Sequence, residues 1–370
     1  MWEDGIYRLR DEAELTSPAL VYYPDIIEEN TRRTIELAGD AQRLWPHVKS
    51  HKLTELIAMQ RAMGIDRFKC ATMAELRMAA GCGAAHVLLA YPLIGPNIAL
   101  FLDAIKAYPG TQMYALGDSM EALEELDAAS RARGMRIKWL CDVNMGMDRT
   151  GVPTAKLADF CVQASERFEG LELVGLHCYD GHNHQHSLDE RAGAVREQMS
   201  AVYQARRDMA ARGVDAPIVI AGGSPSFGCH AEDKGVFLSP GTVFLWDYGY
   251  AQNYPDLPFT PGAALMTRVV SHPAQGMFTL DLGYKAISAD PAGERGVLLG
   301  CPHAESAFQS EEHWTWRMQP DHEDERPPIG AVMYVIPTHI CPTSALYRAV
   351  RVARGGRVVG QWALAARDRY

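Results

Sequence analysis

Hydrophobic and polar positions repeat along the first two thirds of the chain with two different periods. Short apolar runs rich in β-branched and aromatic residues predict strands, whereas apolar positions spaced three and four residues apart predict amphipathic helices. The runs predicted as strands are 19–23, 43–49, 68–72, 86–91, 112–116, 137–143, 173–179, 218–222 and 236–242. The segments predicted as helices are 26–38, 54–63, 73–80, 98–107, 119–133, 154–168 and 188–212.

The alternation of these elements predicts an α/β fold. Residues 87–90 and 218–221 are continuous apolar runs, as expected for parallel strands that are covered on both faces. Repeated βα units over this length favour an N-terminal (β/α)8 barrel of the TIM type. An open, doubly wound sheet is the alternative.

Beyond residue 255 the pattern changes to short β-branched or aromatic segments separated by glycine and proline turns. These segments predict a C-terminal antiparallel β domain. We therefore expect a barrel over residues 15–255 and a β domain formed by residues 256–370 together with residues 1–14. The acidic stretch 322–328 contains prolines and predicts a solvated loop.

Composition excludes several classes of partner. The 370 residues are 47% hydrophobic and 22% charged, as in an ordinary globular protein. The net charge of −10 argues against binding to nucleic acid or to an anionic membrane. No apolar run reaches the roughly 18 residues of a membrane helix, and the acidic start lacks the features of a signal peptide. The eight cysteines contain no C-x-x-C pair, so we expect reduced thiols and a cytoplasmic enzyme.

Lys49 is the first candidate for chemistry. It ends an apolar strand, lies between His47 and His51, and is followed by Lys52 and a helix. Reactive groups of α/β folds lie at the C-terminal ends of strands. Partial burial and positive neighbours favour the neutral amine that a Schiff base requires. The alternative is a solvated lysine in a turn.

Two later strand ends carry further candidates. Arg149 follows strand 137–143 in a glycine-containing turn, where a guanidinium can hold a carboxylate or an aromatic oxyanion. His177, His182, His184 and His186 fall within ten residues, a density that suits acid/base catalysis or metal binding. A surface arginine and solvated loop histidines are the alternatives.

Glycine-containing loops follow the last two predicted barrel strands. Gly222, Gly223 and Ser224 follow one strand, and Gly241 and Thr242 follow the next. Such loops let backbone N–H groups approach an anion, and barrels often bind phosphate at these strands. We therefore expect a phosphate cradle.

The β domain contains one candidate metal pair. His339 and Cys341 are two residues apart, and in an extended chain both side chains project to the same side. Such a pair can bind one metal ion. A packed histidine and cysteine near a turn is the alternative.

These motifs resemble the fold-type III pyridoxal-phosphate enzymes, and most of all the D-threonine aldolase and D-serine dehydratase family, relatives of alanine racemase. The resemblance covers nearly the whole chain and is most specific in residues 46–52, 175–182 and 337–343. It implies an N-terminal (β/α)8 barrel, a C-terminal β domain, and a head-to-tail homodimer in which the β domain of one subunit closes the site of the other.

The resemblance also implies roles for single residues. Lys49 is similar to the Schiff-base lysine, Arg149 to the arginine near the phenolic oxygen of the cofactor, His177 to the residue against the ring face, and Tyr179 to the partner of the pyridine nitrogen. Gly222, Gly223, Ser224, Gly241 and Thr242 match the phosphate cradle, and His339 and Cys341 match the paired metal ligands. Alanine racemase has an arginine where this chain has Ser239, which argues against racemase chemistry.

The implied reaction uses pyridoxal 5′-phosphate and a divalent metal (Mn, Mg or Zn). We expect retro-aldol cleavage of a small D-β-hydroxy-α-amino acid to glycine and an aldehyde, with His186 as the base at the β-hydroxyl. β-Elimination to a 2-oxo acid and ammonia, as by a D-serine or 3-hydroxyaspartate dehydratase, is the alternative. The resemblance favours it at Cys341, because the dehydratases tend to have cysteine at this position and the aldolases aspartate; a thiolate suits zinc, whereas a carboxylate suits manganese or magnesium. A pyridoxal-phosphate-binding protein without turnover and a barrel enzyme with a histidine metal site are further alternatives.

Overall fold

The computed structural model describes residues 4–370, which divide into two compact units. One unit contains Arg32–Gly241 and Ala365–Tyr370, and the other contains the described residues up to Thr31 together with Thr242–Leu364. The strands are β1 (Ala19–Tyr22), β2 (Arg67–Cys70), β3 (His86–Leu89), β4 (Gln112–Gly117), β5 (Ile137–Asn144), β6 (Val152–Pro153), β7 (Leu171–Cys178), β8 (Ile218–Ala221), β9 (Phe237–Leu238), β10 (Ala263–Ser271), β11 (Met277–Leu280), β12 (Gly296–Leu298), β13 (Ala304–Gln309), β14 (Trp314–Met318), β15 (Val332–Pro337), β16 (Ala349–Arg354) and β17 (Arg357–Ala363). The α-helices are α1 (Pro24–Ala38), α2 (Thr54–Ala62), α3 (Met73–Gly81), α4 (Pro96–Ala107), α5 (Met120–Ala132), α6 (Leu157–Arg167), α7 (Leu188–Ala211), α8 (Tyr248–Asn253) and α9 (Ile340–Ala345).

Parallel strands in the order β2-β3-β4-β5-β7-β8-β9 form the sheet of the first unit. Residues 44–47 close this sheet into a barrel as an eighth strand between β9 and β2. The N–H of Trp45 donates to the carbonyl of Leu238 (2.7 Å), and the N–H of Lys69 donates to the carbonyl of Pro46 (2.8 Å). Closure confirms the predicted TIM-like barrel and excludes the open sheet.

Side-chain caps begin two barrel helices within one residue of the predicted starts at 73 and 119. Thr72 accepts a hydrogen bond from the N–H of Glu75 at the start of α3, and Ser119 does the same for Ala122 at the start of α5. These caps satisfy backbone donors that have no partner in the first helical turn. Because every helix returns the chain to the same end of the barrel, the C-terminal ends of all strands share one rim.

The second unit is built on a nine-stranded, mainly antiparallel sheet. Its order is β13-β14-β11-β10-β1-β16-β17, and β15 pairs with both β10 and β12. The predicted antiparallel β domain is therefore confirmed. One assignment is corrected: the strand predicted at residues 19–23 is not part of the barrel, because β1 pairs antiparallel with β10 and parallel with β16. All four residues of β1 are buried. A continuous apolar run of this kind is also typical of a barrel strand, so the sequence pattern does not specify which strands β1 pairs with.

The units divide at other residues than the predicted boundaries of 15 and 255. Residues 242–255, which include α8, belong to the unit of the antiparallel sheet. There the side-chain amide of Asn30 donates to the carbonyls of Phe244 (3.2 Å) and Thr260 (2.7 Å). The last six residues belong to the barrel unit, where the N–H of Ala74 donates to the carbonyl of Arg369 (3.1 Å). Contacts between residues that are far apart in the sequence therefore determine where the two units begin and end.

Within residues 4–370, no helix combines the length and the apolar character needed to cross a membrane. All eight cysteines are unpaired in the structure.

Candidate active site

Lys49 lies at the C-terminal rim of the barrel and lines a cavity of about 540 Å³. The closing strand ends at His47, and one 3-10 turn (Val48–Ser50) carries the lysine. His47 Nδ1 accepts a hydrogen bond from the N–H of Lys49 (3.4 Å), and Ser50 Oγ donates to the carbonyl of His47 (3.1 Å). The side chain of Lys49 is exposed, not half-buried as expected.

The amine of Lys49 has no carboxylate partner among the described residues, whereas Lys52 forms an ion pair with Glu75. The expected positive neighbours of Lys49 include Lys69, whose charge interacts with that of Lys49, whereas Lys52 is paired with Glu75. The glutamate neutralises Lys52 locally, and Lys49 remains available for covalent chemistry.

A hydrogen-bonded chain of polar side chains crosses the same cavity. Thr150 Oγ1 donates to Asp142 Oδ2 (2.8 Å), and His177 Nδ1 lies 2.7 Å from Asp142 Oδ1. Lys69 Nζ lies 3.3 Å from His177 Nε2 and donates to Ser239 Oγ (2.7 Å). Because an ammonium group only donates, Nε2 of His177 accepts from Lys69, and the ring proton belongs on Nδ1, where Asp142 accepts it.

The ionisable side chains that are hydrogen-bonded across the cavity have shifted pKa values. Burial and the charge of Lys49 lower the pKa of Lys69 to about 7. Burial and Lys69 also lower the pKa of His177, against the raising effect of Asp142. Burial is the largest single influence on the pKa of Asp142 and would raise it, but the hydrogen bonds from His177 and Thr150, together with the charges of His177 and Lys69, lower it overall. The cavity thus contains a neutral imidazole fixed in one tautomer, next to an amine that changes charge near neutral pH.

Arg149 and Tyr179 complete the wall of the cavity. The guanidinium carbon of Arg149 lies 5.0 Å from the centre of the Tyr179 ring, and Lys69 Nζ lies 5.4 Å from it. Cations at these distances from an aromatic face are attracted by its quadrupole. The structure therefore brings Lys49, Arg149, His177 and Tyr179 together around one cavity, as the sequence predicts.

The predicted phosphate loop follows β8 and passes close to Tyr179. Gly222 has a φ of +82°, and a Cβ there would lie 2.8 Å from Cα of Phe227, so the turn requires glycine. A Cβ on Gly223 would lie 3.1 Å from the Tyr179 ring. Ser224 is buried, and its Oγ accepts from the N–H of Gly241 (3.3 Å), which joins the two predicted loops.

Asp180, which directly follows Tyr179, organises this loop. Its Oδ1 accepts from the N–H of Gly223 (3.2 Å) and from Ser226 Oγ (2.6 Å), and its Oδ2 lies 2.9 Å from His230 Nε2. Burial would raise the pKa of Asp180, but the hydrogen bonds from His230 and Ser226 lower it. The N–H of Gly223 is therefore engaged in shaping the loop.

Thr242, His339 and Cys341 all belong to the unit of the antiparallel sheet. His339, the residue before α9, has an extended backbone, but Cys341 lies in the first turn of α9, so the pair does not lie along one extended segment. The two side chains nevertheless interact, and Cys341 Sγ lies 3.3 Å from Thr242 Oγ1. His339 Nδ1 lies 2.5 Å from Asp290 Oδ2.

The remaining histidines of residues 182–186 do not line the cavity. His182 is half-buried, with Nε2 3.1 Å from Gln198 Nε2, whereas His184 and His186 are exposed. His186 lies just before the cap of α7 (Ser187). Its predicted role as a base stays a prediction.

Comparison with known proteins adds the family. The model for the N-terminal domain of alanine racemase matches residues 24–247, and the model for a putative serine dehydratase domain matches residues 262–353. The chain belongs to the alanine racemase N-terminal domain family.

Its relatives support this assignment over almost the full length. A D-threonine aldolase of Arthrobacter sp. is 26% identical over 361 residues, which cover 96% of this chain and 93% of the relative. A D-threo-3-hydroxyaspartate dehydratase of Delftia sp. (strain HT23) is 23% identical over 94% of this chain and 97% of the relative. The crystal structure of D-threonine aldolase from Filomicrobium marinum superposes with a TM-score of 0.86, at 26% identity and 96% coverage of both chains. The predicted pyridoxal-phosphate-dependent enzyme of this family is confirmed.

The barrel residues of this family member fit pyridoxal phosphate. Lys49 offers an amine without a carboxylate partner, and the cavity has the volume of a typical cofactor and substrate site. Gly222 and Gly223 carry no side chain, and Phe227 and Tyr179 pack closely against their backbone. Which of the loop groups hold the phosphate stays a prediction.

The residues around His339 fit a divalent metal. Asp290 engages Nδ1 of His339, as is usual for a histidine that binds a metal through its other ring nitrogen. Although burial would lower it, Cys341 and Asp290 raise the pKa of His339 to about 9. The negatively charged groups around His339 therefore favour the binding of a cation.

Lys69 and Asp142 are the cavity residues that the sequence did not indicate. Lys69 occupies the middle of β2, where it looks like a solvated residue of an alternating strand, yet it is only 2% exposed. Because Arg67 and Lys69 alternate with Phe68 and Cys70, the sequence of β2 gives no signal that Lys69 is buried. Asp142 follows a run of apolar residues in β5, and its charge at that position was the available signal.

Proposed function

We propose that the protein is a pyridoxal-phosphate- and divalent-metal-dependent lyase that cleaves D-β-hydroxy-α-amino acids by a retro-aldol reaction to glycine and an aldehyde. The observation that carries this proposal is Lys49, whose unpaired amine lines a cavity together with Arg149, His177 and Tyr179. The similarity to a D-threonine aldolase over 96% of the chain supports the choice of reaction.

In this proposal the barrel residues bind and orient the reactants. Bound at Lys49, pyridoxal phosphate supplies an electron sink for the bonds at Cα of an amino acid. The guanidinium of Arg149 holds a negatively charged oxygen through its planar donors. Asp142 and Lys69 fix His177 as a neutral ring with its proton on Nδ1, so that the ring presents a constant face without a net charge.

The base and the metal ligands are assigned in the same way. His186 takes the proton of the β-hydroxyl, the step that retro-aldol cleavage needs. His339 and Cys341 would hold the divalent metal, which polarises a hydroxyl group when it is bound. Thiolate and imidazole ligands together favour zinc over magnesium.

A second candidate reaction is β-elimination to a 2-oxo acid and ammonia. The His339 and Cys341 pair favours it, because solved structures of a D-threo-3-hydroxyaspartate dehydratase include variants in which a histidine and a cysteine, two positions apart, are replaced by alanine. The cysteine variant is described as metal-free. The spacing equals that of His339 and Cys341, which supports a similar metal pair in this chain.

One incubation separates the two reactions. The enzyme is mixed with pyridoxal phosphate, a divalent metal and D-threonine, and the products are identified by mass spectrometry. Glycine with acetaldehyde supports the aldolase, whereas 2-oxobutanoate with ammonia supports the dehydratase. Lys49→Ala and the L-enantiomer are the controls, and the absence of both product pairs with D-threonine and D-3-hydroxyaspartate rejects the proposal.

The same proposal includes a homodimer in the cytoplasm. Size-exclusion chromatography with light scattering measures the subunit number, and a strictly monomeric active enzyme contradicts this part. Chelation is expected to abolish activity while the cofactor stays bound, which its visible absorbance reports.

A further inference from the structure

Three potential metal ligands meet in the unit of the antiparallel sheet, and none of them belongs to the candidate active site. His303 directly precedes β13, while His322 and Glu325 lie in the 3-10 helix Pro320–Glu325 that follows β14. One ligand atom from each residue lies within 4.8 Å of the other two. We call these residues the His303 cluster.

Backbone pairing brings the cluster together. In the β13–β14 hairpin, Ala304 lies opposite Met318, which places His303 beside Gln319. The N–H of Gln319 donates to the carbonyl of His303 (2.9 Å), and the N–H of His322 donates to the carbonyl of Gln319 (2.9 Å). The acidic stretch 322–328 is therefore not simply the predicted solvated loop, because its first part is folded against the end of the hairpin.

The side chains face one another in a defined arrangement. The rings of His303 and His322 stack with their centres 3.5 Å apart and their planes 5° from parallel. His322 Nδ1 lies 2.8 Å from Glu325 Oε1, and this hydrogen bond lowers the pKa of Glu325. Both rings are half-buried, so their orientation is restricted without being locked.

We propose that the His303 cluster is a second site for a divalent transition metal of the zinc class. Two imidazole nitrogens and one carboxylate oxygen form a ligand set that zinc binds in tetrahedral geometry, with water in the fourth position. This proposal is independent of the proposed function, because it involves neither Lys49 nor the pair His339 and Cys341.

Binding requires a small rearrangement. A nitrogen lone pair lies in the plane of its ring, so two parallel rings cannot both point at one ion, and one ring must tilt out of the stack. Half-buried side chains at the end of a hairpin permit this rotation. The neighbouring acidic residues of the same 3-10 helix, Asp321, Glu323 and Asp324, add negative charge that favours a cation.

The expected consequence is a cross-link between the end of the hairpin and the 3-10 helix. The metal replaces the hydrogen bond between His322 and Glu325 and ties three residues of two segments to one point. Since the ion binds only the folded arrangement, it stabilises the fold.

The test measures zinc binding by the full-length protein without its active-site metal pair. The His339→Ala/Cys341→Ala double variant is titrated with Zn²⁺ by isothermal calorimetry. It is expected to bind one zinc per chain and to unfold at a higher temperature in the presence of zinc. When His303→Ala is added to the double variant, the protein should no longer bind this zinc ion, and zinc should no longer raise its melting temperature.

Two further variants keep the test decisive. His313→Ala removes another exposed histidine, located just before β14, and should leave zinc binding unchanged. Glu325→Gln replaces an exposed ligand, so this variant should fold normally and lose most of its affinity for zinc. The proposal is overturned if the double variant binds no zinc, or if His303→Ala and Glu325→Gln bind zinc as tightly as the double variant. Because no turnover is measured, this failure is distinct from a failure of the proposed lyase activity.

Discussion

Replacing Lys69 by methionine tests the electrostatics of the barrel interior. Methionine has a similar length and volume but no charge, so it removes the amine with little change in packing. The pKa of Lys69 is about 7, against 10.5 for an ordinary lysine. At about 1.4 kcal/mol per pKa unit, this difference means that burying the charged amine costs on the order of 5 kcal/mol more than burying the neutral one.

The sign of the pH dependence follows from proton binding. Between pH 7 and 10.5 the unfolded chain carries a proton on Lys69 that the folded chain has lost. The folded state is therefore stabilised as the pH rises through this window, and the charge penalty is present in full below about pH 7. The free energy of unfolding of the wild type, minus that of Lys69→Met, should rise by about 2–3 kcal/mol from pH 7 to pH 9.

The most direct assay observes the amine itself. The chain contains eight lysines, so ¹³Cε-lysine NMR of the cofactor-free protein gives a small set of signals. The signal that is missing from Lys69→Met should titrate with a midpoint near pH 7 in the wild type. Denaturant unfolding of the same two proteins at several pH values gives the stability difference.

Two results would refute the reasoning. A Lys69 signal that stays at the position of a charged amine through pH 9 would show that burial does not lower its pKa. If the difference in free energy of unfolding between the wild type and Lys69→Met did not change with pH, proton linkage would also show that the pKa of Lys69 is not lowered. Lys156→Met is the matched control, since it removes an exposed lysine of the barrel unit and should produce no such slope.

Three further changes test the site. Lys49→Ala should abolish the visible absorbance of bound cofactor, and an unchanged spectrum would remove Lys49 from its role. His186→Ala should reduce cleavage far more than cofactor binding, measured by comparing turnover with cofactor absorbance; a wild-type rate would mean that another group is the base. Gly222→Ala forces a Cβ against Phe227 at a φ of +82° and should cost about 1–3 kcal/mol in thermal unfolding, while Gly213→Ala, also at a positive φ but with open space around it, should cost less.

The fold was largely predictable from the sequence because its signals are local. Alternating strands and amphipathic helices specify a βα barrel, and the caps Thr72 and Ser119 mark where helices begin. The cavity residues at strand ends could also be predicted, since parallel strands present their C-terminal ends on one rim. Lys49, Arg149 and His177 were found in this way, whereas Tyr179 was indicated by the resemblance to the family.

Partnership between distant segments was not predictable. The buried run of β1 has the pattern of a barrel strand, yet it pairs with β10 and β16 in the antiparallel sheet. In the same way, His339 and Cys341 come together at the start of a helix, not along a strand. Hydrophobic periodicity reports that a segment is buried and does not report what covers it.

The sequence by itself therefore determined the class of fold, the lysine at the barrel rim and the family of enzymes. Only the tertiary structure decided that Lys69 joins His177 and Asp142 in one hydrogen-bonded chain, and that His303 meets His322 and Glu325. The physical reason is the range of the interactions. Periodicity and capping act within a few residues, whereas the charge state of a buried amine depends on side chains that only the folded chain brings within hydrogen-bonding distance.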